Sequence, residues 1–364
     1  MELLSKMEQG ARDIAARTGE YYRTNENGRV FLMSFVPALL ESAEKRRALA
    51  EAGSLAPQYL ICSISARCNL HCAGCYARAE GNCTDNELVA QLDAAQWREV
   101  FRQAEEMGVS FILLAGGEPL LRRDVLRAAA DFPTIAFPVF TNGTLFDDEY
   151  LALFDRHRNL VPVVSIEGDE AATDERRGAG VSNKIETALE ALRAQGVLFA
   201  ASVTVTRENL RTVASREYIE LLRDKGCGIL FFIEYVPAQP GTEALVLTPE
   251  ETRYLAETVD ALRERYTDMS IFSFPGDEDE TGGCLAAGRG FFHINPAGGA
   301  EPCPFSPFSV MNVREHSLPE VLNSAFFGKV REISQSDQTH FGGCTLFRHE
   351  QEIFRLFGAE MGNR

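Results

Sequence analysis

The sequence predicts an α/β fold on a parallel sheet, preceded by a helical stretch and followed by a smaller module. Three observations carry this. From about Gln58 to Ala238, strand-like apolar runs alternate with amphipathic helical stretches. That β-then-α order implies parallel strands joined by right-handed crossovers. Residues 1–57 lack the alternation and read as helical, and beyond Val236 the pattern breaks into turn formers, one capped helix and short glycine-flanked runs. At 364 residues the chain has room for one large domain and a smaller one.

Taken in order, residues 1–57 form a helical extension, apolar over much of 29–40 and charged over 41–52. Strands are expected at 59–65, 111–115, 135–140, 161–166, 197–206 and 229–236, with helices at 87–107, 122–131, 147–156, 183–195 and 216–225. Asp93, with Gln96 three residues on, makes a capping-box pattern within the first helical stretch. Six units are too few for an eight-stranded barrel, which leaves a partial barrel or an open doubly wound sheet. Residues 237–247 read as a linker. A helix then opens at Thr248-Pro249-Glu250-Glu251, with Thr as N-cap, Pro at the first helical position and Glu closing the box, and runs to about Tyr266. From about Asp277, glycine pairs, short strands and three cysteines make a small α+β module. The expected divisions are 1–57, 58–247 and 248–364.

Composition narrows the function. Hydrophobic residues at 45% and charged residues at 24% describe an ordinary globular chain. The net charge of −17, with no Lys/Arg-rich run, argues against nucleic acid as a main partner, because phosphate contacts supply most of that affinity. The opening residues lack the basic-then-apolar order of a signal peptide, and the apolar stretch 30–40 is too short to span a bilayer. Nine cysteines in such a chain favour metal binding over a disulfide framework, and a cytoplasmic location without stable membrane insertion is expected.

Just past the first strand, Cys68-Asn69-Leu70-His71-Cys72-Ala73-Gly74-Cys75-Tyr76 spaces three cysteines as CxxxCxxC. One loop can bring three such thiolates to three irons of a cubane, leaving a fourth iron without a protein ligand. Structural Fe–S and zinc sites usually close their shell with four ligands, so an incomplete set points to chemistry. The run resembles the cluster-binding loop of radical S-adenosylmethionine (SAM) enzymes. The resemblance implies a partial (β/α)6 barrel. It also implies a [4Fe–4S] cluster on Cys68, Cys72 and Cys75, whose open iron chelates SAM. Reductive cleavage of SAM then gives methionine and a 5′-deoxyadenosyl radical that abstracts a substrate hydrogen, with the electron coming from a low-potential donor such as flavodoxin or ferredoxin.

Further motifs take their expected roles from the same resemblance. Gly116-Gly117-Glu118-Pro119 follows the second strand; its glycines permit close backbone approach, the Glu118 carboxylate can accept hydrogen bonds from an ammonium group, and the resemblance places the motif at the SAM amino group. Thr141-Asn142-Gly143 resembles the family's turn beside SAM, which nominates Asn142; read alone it is a common Asn-Gly turn. Ser165 shares a strand face with Glu167 and takes the family's SAM-contacting serine position. In Asp174-Glu175-Arg176-Arg177-Gly178 the resemblance gives Arg177 the SAM carboxylate, a bidentate match. Tyr76 occupies the aromatic position near the adenine. On the fifth strand Ser202, Thr204 and Thr206 line one face, and on the sixth Glu234 is the candidate acid for orienting substrate or taking a proton. Cys62, Cys83 and Cys227 lack cluster spacing and read as core, and His157, His293 and His316 read as surface or packing residues.

In the last module Cys284 is followed by thirteen residues, Gly298, four residues and Cys303, across an expected hairpin, and Cys344 follows a glycine pair. This resembles the shortened "twitch" form of the SPASM module, which implies one auxiliary [4Fe–4S] cluster. Three cysteines leave one ligand to find. His340, His349, Cys227 or an outside ligand would complete the shell; left open, an iron would bind substrate directly. A zinc site of three cysteines and a histidine is the plainer alternative. The functions expected are oxidation or cross-linking of a small-molecule substrate, modification of a peptide or protein, or, in another class, a non-catalytic Fe–S or zinc scaffold.

Overall fold

The computed structural model describes residues 2–85, 90–336 and 344–362. Seven parallel strands lie side by side in chain order: β1 (Tyr59–Ser65), β2 (Phe111–Gly116), β3 (Phe137–Thr141), β4 (Leu160–Ser165), β5 (Ala200–Val205), β6 (Ile229–Glu234) and β7 (Ser270–Phe274). Beyond β1 the sheet continues through β8 (His293–Ile294), parallel to β1, and then antiparallel through β9 (Gly299–Glu301) and β10 (Met311–Asn312). The ring of Phe140 on β3 packs 5.5 Å from that of Phe231 on β6. A flat sheet would hold those strands roughly 14 Å apart, at the usual inter-strand spacing. The sheet is therefore curled into a partial barrel rather than open.

Strand alternation sorts the two faces. Leu60, Cys62 and Ile64 of β1, with Leu230 and Phe232 of β6, pack outward into the core shared with Trp97, Phe101, Val125, Leu126, Ile185 and Ile219 of the crossover helices. Ser63, Phe140, Ser165, Ser202, Thr204 and Phe231 alternate with these and face the lumen.

Two helices, α1 (Glu2–Tyr21) and α2 (Glu26–Glu51), make up most of the N-terminal extension. Tyr22, Phe31, Phe35 and Leu39 form a second core with Ala136 and Leu198, against Phe111 and Ile229. Those last residues stand at or just before the N-terminal ends of strands, so the pair closes the mouth of the barrel opposite the strands' C-terminal ends. Arg46, nearly inaccessible, donates to the Gly108 carbonyl and to Ser110 Oγ.

Two expectations change. The helix expected over 87–107 is found at Ala94–Glu106, because Asp93 and Gln96 form a real capping box; residues 86–89 lie outside the described set. A strand not foreseen, β7, falls beyond the expected boundary at 247 and pairs with β6. Its Ser-Ile-Phe-Ser-Phe run is too short to read without its partner. With β8 pairing to β1 at the other edge, one continuous sheet joins the barrel to the last module. Among the described residues, no helix is long and apolar enough to cross a membrane.

Candidate functional site

The cysteine loop leaves the C-terminal end of β1 and is braced from several sides. Gly117 N–H donates to the Ser65 carbonyl and Glu118 N–H to the Arg67 carbonyl, both at 2.7 Å, which ties the turn after β2 to the residues just before Cys68. A Cβ on Gly117 would stand 2.1 Å from the Arg67 carbonyl oxygen, and Gly116 has φ +116°, so both positions require glycine. Asn142, after β3, donates to Asn69 Oδ1 at 2.9 Å, and Asn69 donates to Thr144 Oγ1 at 2.8 Å. Ala73 N–H donates to the Arg176 carbonyl at 2.9 Å. From beyond β6, Gln239 accepts the Gly74 N–H at 3.1 Å, and the Tyr235 hydroxyl lies where a Gly74 side chain would have to go.

Donors surround the sulfurs. Cys68 Sγ accepts from Leu70 N–H at 3.5 Å and from the Asn142 amide at 3.8 Å, and Arg177 Nη1 lies 4.0 Å from Cys72 Sγ. Such donors favour thiolate and tune a cluster. Burial, aided by the nearby Glu118 carboxyl and the neighbouring thiols, pushes the Cys68 thiol up to about 12, so iron must displace the proton on binding. These residues fit a cluster with SAM on the open side. Cys83, read from sequence as core, is buried behind the loop within electrostatic reach of Cys75 and Cys72.

The candidate SAM contacts divide. Glu118 is buried, and its carboxylate accepts from Thr141 Oγ1 (2.7 Å), Asn142 N–H (2.8 Å) and Leu120 N–H (2.9 Å). It fastens the turn after β3 to that after β2 and leaves their backbone to face a ligand. Arg176 and Arg177, from the helix Glu170–Arg177, both donate to Glu167 Oε1, and Arg176 also reaches Thr204 Oγ1 at 2.8 Å. Asp174 instead accepts Gly180 N–H and Ser182 N–H, anchoring the start of the next helix. Ser165 faces the lumen as expected from its strand. Glu234 does not: it alternates with Phe231 and shares the outward face of Leu230 and Phe232, with Gly276 packed beside its carboxylate. One strand position decides this, and it is Tyr235 that faces the cysteine loop.

The second cysteine set is buried: Cys284 follows the turn after β7, Cys303 comes just after β9, and Cys344 precedes the short helix Thr345–Arg348. Cys303 donates a hydrogen bond to Cys344, which holds the Cys344 thiol below its ordinary value, while burial pushes Cys303 and Cys284 up. All three thiols feel one another electrostatically. Among the described residues no three His, Cys, Asp or Glu side chains are gathered tightly enough for a single ion. A cubane spreads its thiolates over separate irons and does not demand that closeness, so the set fits a cluster. Tyr76 stands between the two sets, its ring 5.0 Å from that of Phe305 and its hydroxyl within electrostatic reach of Cys75 and Cys303.

A polar chain that sequence reading passed over lines the lumen beside β1. Ser63 Oγ meets His293 Nε2 at 2.8 Å, His293 Nδ1 meets Glu301 Oε2 at 2.7 Å, and Asn295 donates to Glu301 Oε1 at 2.6 Å. Ser63, His293 and Glu301 are essentially inaccessible. His293 and Glu301 are cross-strand partners in the hairpin, a pairing that the hairpin register alone encodes.

Comparison with known proteins accords with this geometry. Residues 62–219 match the Radical SAM superfamily profile. The chain is 26% identical over 305 residues to AdoMet-dependent heme synthase of Methanosarcina barkeri, covering 76% of this chain and 85% of that one. It is 27% identical over 281 residues to PqqA peptide cyclase of Gluconobacter oxydans, covering 73% and 76%. Its fold matches the crystal structure of Streptococcus suis SuiB bound to precursor peptide SuiA, with TM-score 0.63 and 20% identity over 80% of this chain and 71% of that chain.

Proposed function

Because the chain carries a radical SAM domain over residues 62–219, we propose that it abstracts a hydrogen atom from a small-molecule substrate held in the barrel and oxidises or cross-links it with the help of an auxiliary cluster. The observation that carries this reading is Tyr76, whose ring packs on Phe305 and whose hydroxyl lies within electrostatic reach of one cysteine from each set, Cys75 and Cys303. When bound, the first cluster and SAM supply reductive cleavage and a hydrogen-abstracting species, and the auxiliary cluster supplies an electron acceptor. A low-potential protein such as flavodoxin or ferredoxin delivers the electron.

The chain's own residues do the rest. Cys68, Cys72 and Cys75 hold the first cluster, and Cys284, Cys303 and Cys344 the second. The backbone of Gly116, Gly117 and Glu118 takes the SAM amino group, Ser165 and Asn142 border it, and Tyr76 packs by the adenine. Arg177 binds the carboxylate. Replacing it by alanine removes a charge-assisted contact worth roughly 1.5–3 kcal/mol, and SAM affinity is expected to fall about tenfold or more. Titration calorimetry on reconstituted protein reads this at unchanged iron content; unaltered affinity would move the role to Arg176. Phe140, Phe231 and Phe272, in ring contact across the lumen, give the substrate an apolar floor. A proton that oxidation releases passes to Ser63 Oγ as the Ser63 hydroxyl proton moves to His293 Nε2, with Glu301 orienting the ring through Nδ1.

A second reading, modification of a peptide, draws support from PqqA peptide cyclase and from SuiB bound to its precursor peptide. Anaerobic reconstitution with SAM and dithionite tests the common core of both. Wild-type protein is expected to form 5′-deoxyadenosine, and so is Cys284→Ala, which loses only substrate oxidation. Absence of 5′-deoxyadenosine from the wild type would leave a metal-binding scaffold as the better account.

A further inference from the structure

We propose that Glu278 is the fourth protein ligand of the auxiliary cluster, completing the set of Cys284, Cys303 and Cys344. This rests on the reading that those cysteines hold a cluster. Glu278 lies in the short turn Gly276–Thr281, and its side chain is buried, with only 4% of the residue exposed. Its carboxyl accepts a hydrogen bond from the Cys284 thiol and is within electrostatic reach of Cys344. The other oxygen tells more. Oε1 is sealed from solvent and has no hydrogen-bond partner among the described residues.

The surrounding backbone fixes this carboxyl in place. Glu278 N–H donates to the Pro275 carbonyl at 2.8 Å, and the Glu278 carbonyl accepts Gly283 N–H at 2.9 Å and Thr281 Oγ1 at 2.8 Å. Arg289 holds the same loop but directs its donors to the carbonyls of Gly283 (2.7 Å), Cys284 (2.9 Å) and Thr281. It thus spans the segment between Glu278 and Cys284; its charge reaches the carboxyl without a hydrogen bond to it, and Leu285 N–H supplies the carboxyl a backbone donor. Burying a carboxyl with one oxygen unpartnered is costly, and proteins keep such a group where it binds a metal or is otherwise compensated. Three thiols and a buried carboxyl with an idle oxygen, within hydrogen-bond or electrostatic reach of one another, supply the four donors that a closed shell needs.

Two of the donors suggested by sequence have partners of their own. His349 lies on the C-terminal helical segment, 3.3 Å from Glu352. Cys227 donates to the Ile229 carbonyl at 3.0 Å, at the start of β6. His340 lies outside the described residues. With Glu278 bound, every iron of the cluster has a protein ligand, so the cluster passes electrons and does not anchor substrate.

The test uses the full chain with Cys68, Cys72 and Cys75 replaced by alanine, so that the auxiliary cluster is the one observed. Protein grown with carboxyl-13C-glutamate is reconstituted anaerobically, reduced and examined by pulsed EPR. The expected result is about four irons per chain and a 13C coupling that disappears in Glu278→Gln. Glu278→Cys is expected to keep the four irons while losing the coupling, since a thiolate takes the carboxylate's place. Four irons without a 13C coupling in the Glu278 protein would overturn the assignment and leave the cluster reading standing. Zinc, or no iron, would overturn both.

Discussion

Replacing Cys68, Cys72 and Cys75 together by alanine is expected to abolish 5′-deoxyadenosine formation and to lower iron from about eight to about four per chain. The loss is total because no other group in the loop offers a comparable donor. The brace from Gly117, Glu118, Asn142, Arg176 and Gln239 positions three sulfurs, and the remaining contacts are backbone and amide hydrogen bonds. Cys83 lies within electrostatic reach of Cys72 and Cys75, but one thiol cannot stand in for three. Iron analysis and product chromatography read the two halves of this expectation separately. An iron content unchanged by the triple substitution would mean that the loop holds no cluster. Zinc in the remaining set would retire the auxiliary cluster.

Gly117→Ala is expected to be nearly as severe, although it touches no ligand. The added Cβ would stand 2.1 Å from the Arg67 carbonyl oxygen and 2.5 Å from its carbon, and backbone cannot yield as a flexible side chain does. The turn after β2 must separate from the cysteine loop, breaking the hydrogen bonds to Ser65 and Arg67. Overpacking together with two lost backbone bonds costs about 2–6 kcal/mol, a large share of the roughly 5–15 kcal/mol that stabilises a domain. The expected outcome is a lowered denaturation midpoint, incomplete reconstitution of the first cluster and loss of SAM binding. The second cluster, held by Cys284, Cys303 and Cys344, retains its iron. A Gly117→Ala protein with wild-type midpoint and SAM affinity would show that this turn does not position the loop.

Much of this was legible along the chain because it is local. The cysteine spacing fixes three donors on one loop whatever surrounds them, and the boxes Asp93/Gln96 and Thr248/Glu251 each start a helix within four residues. The six expected strands are all found, since each carries enough consecutive apolar residues to declare itself. Glu234 marks the limit. Its strand was foreseen, yet which of two adjacent residues faces the lumen depends on a register that neighbouring strands impose.

By itself, then, the sequence determined the α/β alternation, the two separated cysteine sets and the glycine turn that must approach the first of them closely. Tertiary structure decided what depends on residues far apart in the chain. Curling brought Phe140 to Phe231, and the edges of one sheet took up β7 and the hairpin. Folding set His293 between Ser63 and Glu301 and buried Glu278 against cysteines that follow it by 6 to 66 positions. A lone glutamate in a turn carries no signal in sequence, because an exposed carboxylate costs nothing. Once folding excludes water and leaves Oε1 without a hydrogen-bond donor, the same carboxyl demands a partner.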